Sequence, residues 1–86
     1  MQLLLTARFQ RAYAALAPDE QKQIQKALRK MGEDLRYPGL GVKRIRGTKG
    51  IWEARASRAL RITFETQGDS IILRNVGRHD ETLASP

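Results

Sequence analysis

Hydrophobic and polar residues alternate with period two along the middle of the chain. Trp52, Ala54 and Ala56 alternate with Glu53 and Arg55, and then Leu60, Ile62 and Phe64 with Arg61, Thr63 and Glu65, the pattern of half-buried strands. Ser57 and Arg58 make a short turn between the two runs. The strands therefore pair antiparallel and bring Glu53, Arg55, Arg61 and Thr63 onto one polar face. A third run, Ile71 to Val76, follows a turn at Gly68-Asp69 and delivers Gly77-Arg78-His79-Asp80 to a strand end.

Upstream the period changes to that of helices. Gln2 to Leu5 reads as a short strand ended by Thr6, which suits the N-cap of a helix. Phe9, Ala12, Tyr13 and Leu16 then follow the i, i+3, i+4, i+7 rule, with Arg8, Gln10 and Arg11 outward. Pro18 stops this helix and opens a second, whose first turn carries Asp19 and Glu20 at the positive end of the helix dipole. Ile24, Ala27, Leu28, Met31 and Leu35 form its apolar stripe, with Lys22, Lys26, Arg29 and Lys30 facing water. Gly32 weakens its end, Tyr37 to Gly41 is a loop, Val42 to Arg46 a strand, and Gly47 to Gly50 the turn into the central pair. The tail Glu81 to Pro86 has no periodic signal. The elements predict an α+β two-layer sandwich: an N-terminal strand, a helical hairpin, then an antiparallel meander of three or four strands. The helices cover one sheet face, and the other is left partly open for the charged positions.

Length confines this to one domain, residues 1–86, with one small core. There is no cysteine, hence no disulfide framework and no thiolate metal site, and a single His does not make a zinc cluster. Leu3-Leu4-Leu5 is too short for a signal segment or a membrane span. These features predict a cytoplasmic protein with no membrane association.

Charge changes the picture. Sixteen Lys and Arg stand against nine Asp and Glu, a net charge of +7, and the excess is concentrated. Between Lys43 and Arg61 lie Lys43, Arg44, Arg46, Lys49, Arg55, Arg58 and Arg61, with Glu53 the only acid. Such density on a small sheet attracts phosphates or an acidic partner; a solvated surface that maintains solubility is the plainer alternative.

No phosphate loop, dinucleotide fingerprint, zinc-ligand spacing or nucleophile elbow is present, so no cofactor is expected and catalysis must rest on cations and one imidazole. RNA scission needs a base for the 2′-hydroxyl proton, cations on the phosphate and a proton for the leaving 5′-oxygen. An imidazole titrates near about pH 6.5 and contributes of order 10²- to 10⁴-fold as acid or base. His79 is the candidate for that role, and Arg61, a planar fork on a rigid strand, for the phosphate. Lys43, Arg46, Arg55 and Arg58 are candidates for backbone contacts. Each also has a structural reading: Arg61 as a cross-strand partner of Glu53, His79 as an idle exposed side chain paired with Asp80, Trp52 as core.

With these residues in view the chain resembles the RelE/ParE superfamily, small basic toxins of bacterial toxin–antitoxin pairs. The likeness runs through Thr6-x-x-Phe9 with Arg11-Ala12, the Pro18-led helix, Val42-Lys43-x-Ile45-x-Gly47, Gly50-Ile51-Trp52-Glu53-Ala54-Arg55, Leu60-Arg61-Ile62-x-Phe64 and Val76-Gly77-Arg78-His79-Asp80. It implies a RelE-like endoribonuclease that cuts messenger RNA, commonly on the ribosome, and a cognate acidic antitoxin that covers the basic face. It matches Arg61 and His79 to catalytic positions and places Arg78 beside them as an RNA contact. Glu81-Thr82-Leu83 follow where many such nucleases have a base-stacking aromatic, and Gly41 stands where some branches have a basic carboxylate, which leaves His79 as the base. The alternative is a ParE-like protein that does no chemistry and poisons DNA gyrase through surface contacts. His79→Ala and Arg61→Ala separate the two, since each is expected to abolish a nuclease's growth arrest with folding intact.

Overall fold

A computed structural model describes residues 1–86. The elements run β1 (Gln2–Leu5), α1 (Ala7–Ala14), α2 (Pro18–Glu33), a 3-10 turn (Pro38–Leu40), β2 (Lys43–Arg44), β3 (Trp52–Arg55), β4 (Leu60–Gln67), β5 (Ser70–Arg78) and α3 (His79–Ala84). β2 to β5 form the antiparallel meander; β1 adds to it in parallel beside β5, giving one mixed five-stranded sheet ordered β1-β5-β4-β3-β2. The helical hairpin thus carries the chain from one sheet edge to the other.

Local chemistry sets the helix starts. The Thr6 hydroxyl accepts a hydrogen bond from the Phe9 N–H (3.1 Å) and donates one to the Leu73 carbonyl (2.7 Å), so a single side chain caps α1 and fastens it to β5. Pro18 opens α2, and the Glu20 carboxylate reaches back to accept from the Ala17 N–H at 3.0 Å. Phe9, Ile24, Ala27 and Met31 of the helices and Leu40 of the 3-10 turn pack on Ala54, Leu60, Ile62, Phe64, Ile71, Leu73 and Val76 of the sheet. Each large apolar side chain buried there contributes about 1.5–3 kcal/mol. Ala12, Tyr13, Leu16, Leu28, Leu35 and Trp52 are partly buried around this core.

The inward residues of β5 are spaced two and then three apart, Ile71, Leu73 and Val76. The cause is a bulge: Thr63 pairs with Asn75 and Phe64 with Leu73, so Arg74 is the extra residue on β5.

Two expectations are corrected. The strand foreseen over Val42–Arg46 pairs only at Lys43 and Arg44. The tail, which carries no periodic signal, is nevertheless helical over His79–Ala84 and buries Thr82. The charged positions Glu53 and Arg61 do not lie on the open part of the polar sheet face: each is 8% exposed, Thr63 is fully buried and Thr82 of α3, which packs on β4 and β5, is 2% exposed, while Lys43 and Arg55 of the same face stay exposed. Hydrogen bonds hold the tail down. Thr63 Oγ1 and Arg74 Nε donate to the Pro86 backbone oxygen (3.1 and 3.2 Å), Asn75 Nδ2 to the Ser85 carbonyl (2.9 Å), and Arg8 to the same carbonyl. Gly77 makes the approach possible, since a Cβ there would lie 3.0 Å from Thr82 Oγ1 and its φ is +155°.

Candidate active site

Adjacent strands set the polar face in rows. Lys43, Glu53, Thr63 and Asn75 form one cross-strand row, and Arg55, Arg61 and Gly77 the next. Beyond the second row the chain turns through Ala56 to Ala59. The turn is closed by the Ala56 N–H on the Leu60 carbonyl (3.1 Å) and by the Ser57 hydroxyl, which accepts from the Leu60 N–H (3.3 Å).

Arg61 is built into this turn. Its Nη1 donates to the carbonyls of Ser57 (2.9 Å), Leu60 (3.0 Å) and Arg58 (3.3 Å), while Nε lies 3.8 Å from Glu53 Oε1. Both ends of the cross-strand ion pair are about nine-tenths buried, and such a pair is tolerated only when the remaining donors find partners. Nη2 makes no hydrogen bond within the protein, yet no buried polar side-chain atom lacks a partner, so Nη2 keeps contact with solvent.

His79 arrives at the same turn from the other direction. It is the first residue of α3, and its backbone N–H donates to the Ala59 carbonyl at 2.9 Å. The imidazole is half exposed, with Nδ1 2.8 Å from Asp80 Oδ1. Asp80 and Glu81 in the first turn of α3 complement the helix dipole.

The fold thus gathers Arg58, Arg61 and His79 at one turn, with Arg55 immediately before it. The other predicted contacts are distributed elsewhere. Arg78 is drawn to Glu20 at the start of α2 (3.3 Å), beside a cleft of about 380 Å³ whose walls include Leu16, Glu20, Arg78, Glu81 and Thr82. Lys43 and Arg46 are exposed at the far sheet edge, on and beyond β2. Sequence reasoning missed that α3 joins the site. Its signal was the acidic pair Asp80-Glu81 directly after a strand end, followed by the helix-compatible Leu83-Ala84. Asp80 as the orienting partner of His79 was foreseen only as one option.

No protein-family model matches the chain, and no curated protein matches it. Solved structures do. The intact E. coli RelBE toxin–antitoxin complex contains a chain that superposes with a TM-score of 0.71 at 17% identity, covering 92% of this chain and 96% of that one. The RelB–RelE antitoxin–toxin complex of Methanococcus jannaschii gives 0.73 at 23% identity, covering 87% and 88%. YafQ of E. coli gives 0.78 at 7% identity, covering 93% and 94%. The chain therefore has the fold of the RelE and YafQ toxins.

Proposed function

We propose that this chain is the toxin of a toxin–antitoxin pair, an endoribonuclease that cuts messenger RNA on the ribosome and so stops translation. The observation that carries the reading is the seating of His79 and Arg61 on successive carbonyls of one turn, with the imidazole open to solvent. A carboxylate only accepts, so in the Asp80 pair Nδ1 of His79 carries a proton, and the neutral form of the imidazole has its lone pair on Nε2. Nε2 takes the proton of a 2′-hydroxyl, the 2′-oxygen attacks phosphorus, and the bond to the 5′-oxygen breaks. The departing oxygen takes a proton from water, and the hydroxide so formed recovers one from the imidazolium, which returns His79 to its starting form. The products are a cyclic phosphate and a 5′-hydroxyl. Nη2 of Arg61 and the exposed guanidinium of Arg58 face the charge that grows on the phosphate oxygens.

Two of the structures sharing the fold are toxins bound to antitoxins, which supports a cognate partner here. A net charge of +7 calls for an acidic one.

The test is brief induction of the wild-type chain and of His79→Ala, followed by primer extension on cellular transcripts. Discrete new 5′ ends inside coding regions are expected with the wild type and none with the variant. Undiminished growth arrest by His79→Ala, with transcripts intact, overturns the nuclease and is the result a gyrase poison gives.

A further inference from the structure

A small cleft of about 90 Å³ lies between α2 and the end of β3, walled by Lys26, Lys30, Arg55, Ala27, Gly39 and Leu40. Lys26 and Lys30 are one helical turn apart and Arg55 closes the opposite side. No carboxylate lines the cleft. The ion pairs of the protein all lie elsewhere, at Arg36–Asp34, Arg61–Glu53, Arg74–Glu65, Arg78–Glu20 and His79–Asp80. Three basic residues line one concavity without a carboxylate to neutralise them, so an oxyanion seated there is attracted to all three. The larger cleft beside Arg78 differs, because Glu20 and Glu81 stand in its wall.

We infer that the Lys26–Lys30–Arg55 cleft is a phosphate subsite, which receives a backbone phosphate of an RNA strand whose neighbouring phosphate lies at the Ala56–Ala59 turn. The inference deepens the ribonuclease reading and rests on it for the identity of the strand. Two features favour RNA over an acidic peptide. The volume accommodates one oxyanion group rather than a side chain with its backbone. The cations also continue along a track, since Arg55 leads directly into the turn that carries Arg58, Arg61 and His79, and a strand with regularly spaced charges follows such a track.

The experiment uses full-length His79→Ala protein, so that no strand is cut. Inorganic phosphate is titrated first, and saturable amide shifts are expected at Lys26, Lys30, Gly39 and Arg55. Binding of a 2′-O-methyl RNA oligonucleotide is then measured across a range of salt. Lys26→Gln/Lys30→Gln is expected to weaken binding equally for different base sequences and to lower the log–log salt slope by about 0.7, the contribution of one single-strand phosphate contact. Lys22→Gln/Arg29→Gln removes the same charge from the same helix outside the cleft, and is expected to change the slope by less than half as much. Equal slopes for the two double variants, or no saturable phosphate shift, overturn the subsite. Unchanged RNA binding with weakened binding of a poly-glutamate peptide also overturns it and makes the cleft a protein-docking site. Intact transcripts in the induction experiment would refute the nuclease and leave these measurements readable.

Discussion

Arg61 and His79 hold neighbouring peptide carbonyls of a single turn: the guanidinium takes that of Arg58 at 3.3 Å, and the backbone N–H of His79 takes that of Ala59 at 2.9 Å. The backbone of the residue that follows β5 is thus registered against a turn that Arg61 itself holds in shape.

Arg61→Ala is accordingly expected to affect more than chemistry. It removes three hydrogen bonds to the turn and leaves the Glu53 carboxylate buried without its cation. The loss is about 3 kcal/mol, visible as a lower urea midpoint, and it replaces the sequence-based expectation of intact folding. Adding Glu53→Gln should recover part of the loss. A double-mutant cycle in which the two changes add without coupling would refute the pairing. His79→Ala, with a half-exposed side chain, should leave the unfolding free energy unchanged to within about 0.5 kcal/mol.

Gly77→Ala forces a Cβ to within 3.0 Å of Thr82 Oγ1, at a φ of +155° that L side chains rarely adopt. A destabilisation of about 1–3 kcal/mol is expected, together with faster amide exchange in α3 than in β1. Thr82→Ala in the same background should relieve the contact but not the backbone strain, so rescue is partial; full rescue would show that φ is not the constraint.

Thr6→Ala breaks the cap on α1 and the bond to Leu73 in one step. About 1–2 kcal/mol of stability should be lost. Thr6→Ser, which keeps the hydroxyl, should retain most of it, and equal losses in the two variants would argue against the cap.

Asp34 receives hydrogen bonds from the side chain and then the backbone N–H of Arg36, which hold its carboxyl below the ordinary value of 3.8. The ionised form is thus favoured in the folded protein. Its stabilising effect is present above pH 3.8 and fades as pH falls below that value through the lowered folded-state pKa. Arg36→Gln should move the Asp34 carboxyl titration, followed by ¹³C chemical shift, upward toward the ordinary value. No movement would exclude Arg36 as the cause.

Most of the fold was legible because burial and period agree over its long elements. Phe9, Ile24, Ala27 and Met31 on the helices and Ala54, Ile62 and Phe64 on the strands occupy the inward positions that their spacing assigns. Alternation misled on the other face. It distinguishes polar from apolar positions but carries no information on whether a polar face is later covered, and Arg61 and Thr63 of β4 are buried beside a helix whose own inward residue is Thr82. A polar interface leaves no hydrophobic stripe to read. The bulge at Arg74 was hidden for a related reason: Ile71, Leu73 and Val76 break the period by one residue, and only pairing with β4 shows which residue is extra. Of the candidate site, His79 and Arg58 were placed from the strand end and the turn. The ion pair that draws Arg78 to Glu20 links residues far apart in the chain, and sequence spacing does not report it.

The parallel seating of β1 against β5 pairs Gln2–Leu5 with Ser70–Leu73, so the first strand of the sheet waits for the last one before it finds its place. Contacts of such long sequence separation slow folding and cannot form until the later strand has emerged. The turn that registers Arg61 against His79 shares this delay, because His79 follows β5. A chain in which Ser70–Arg78 has not yet paired therefore has neither a seat for β1 nor a fixed place for His79.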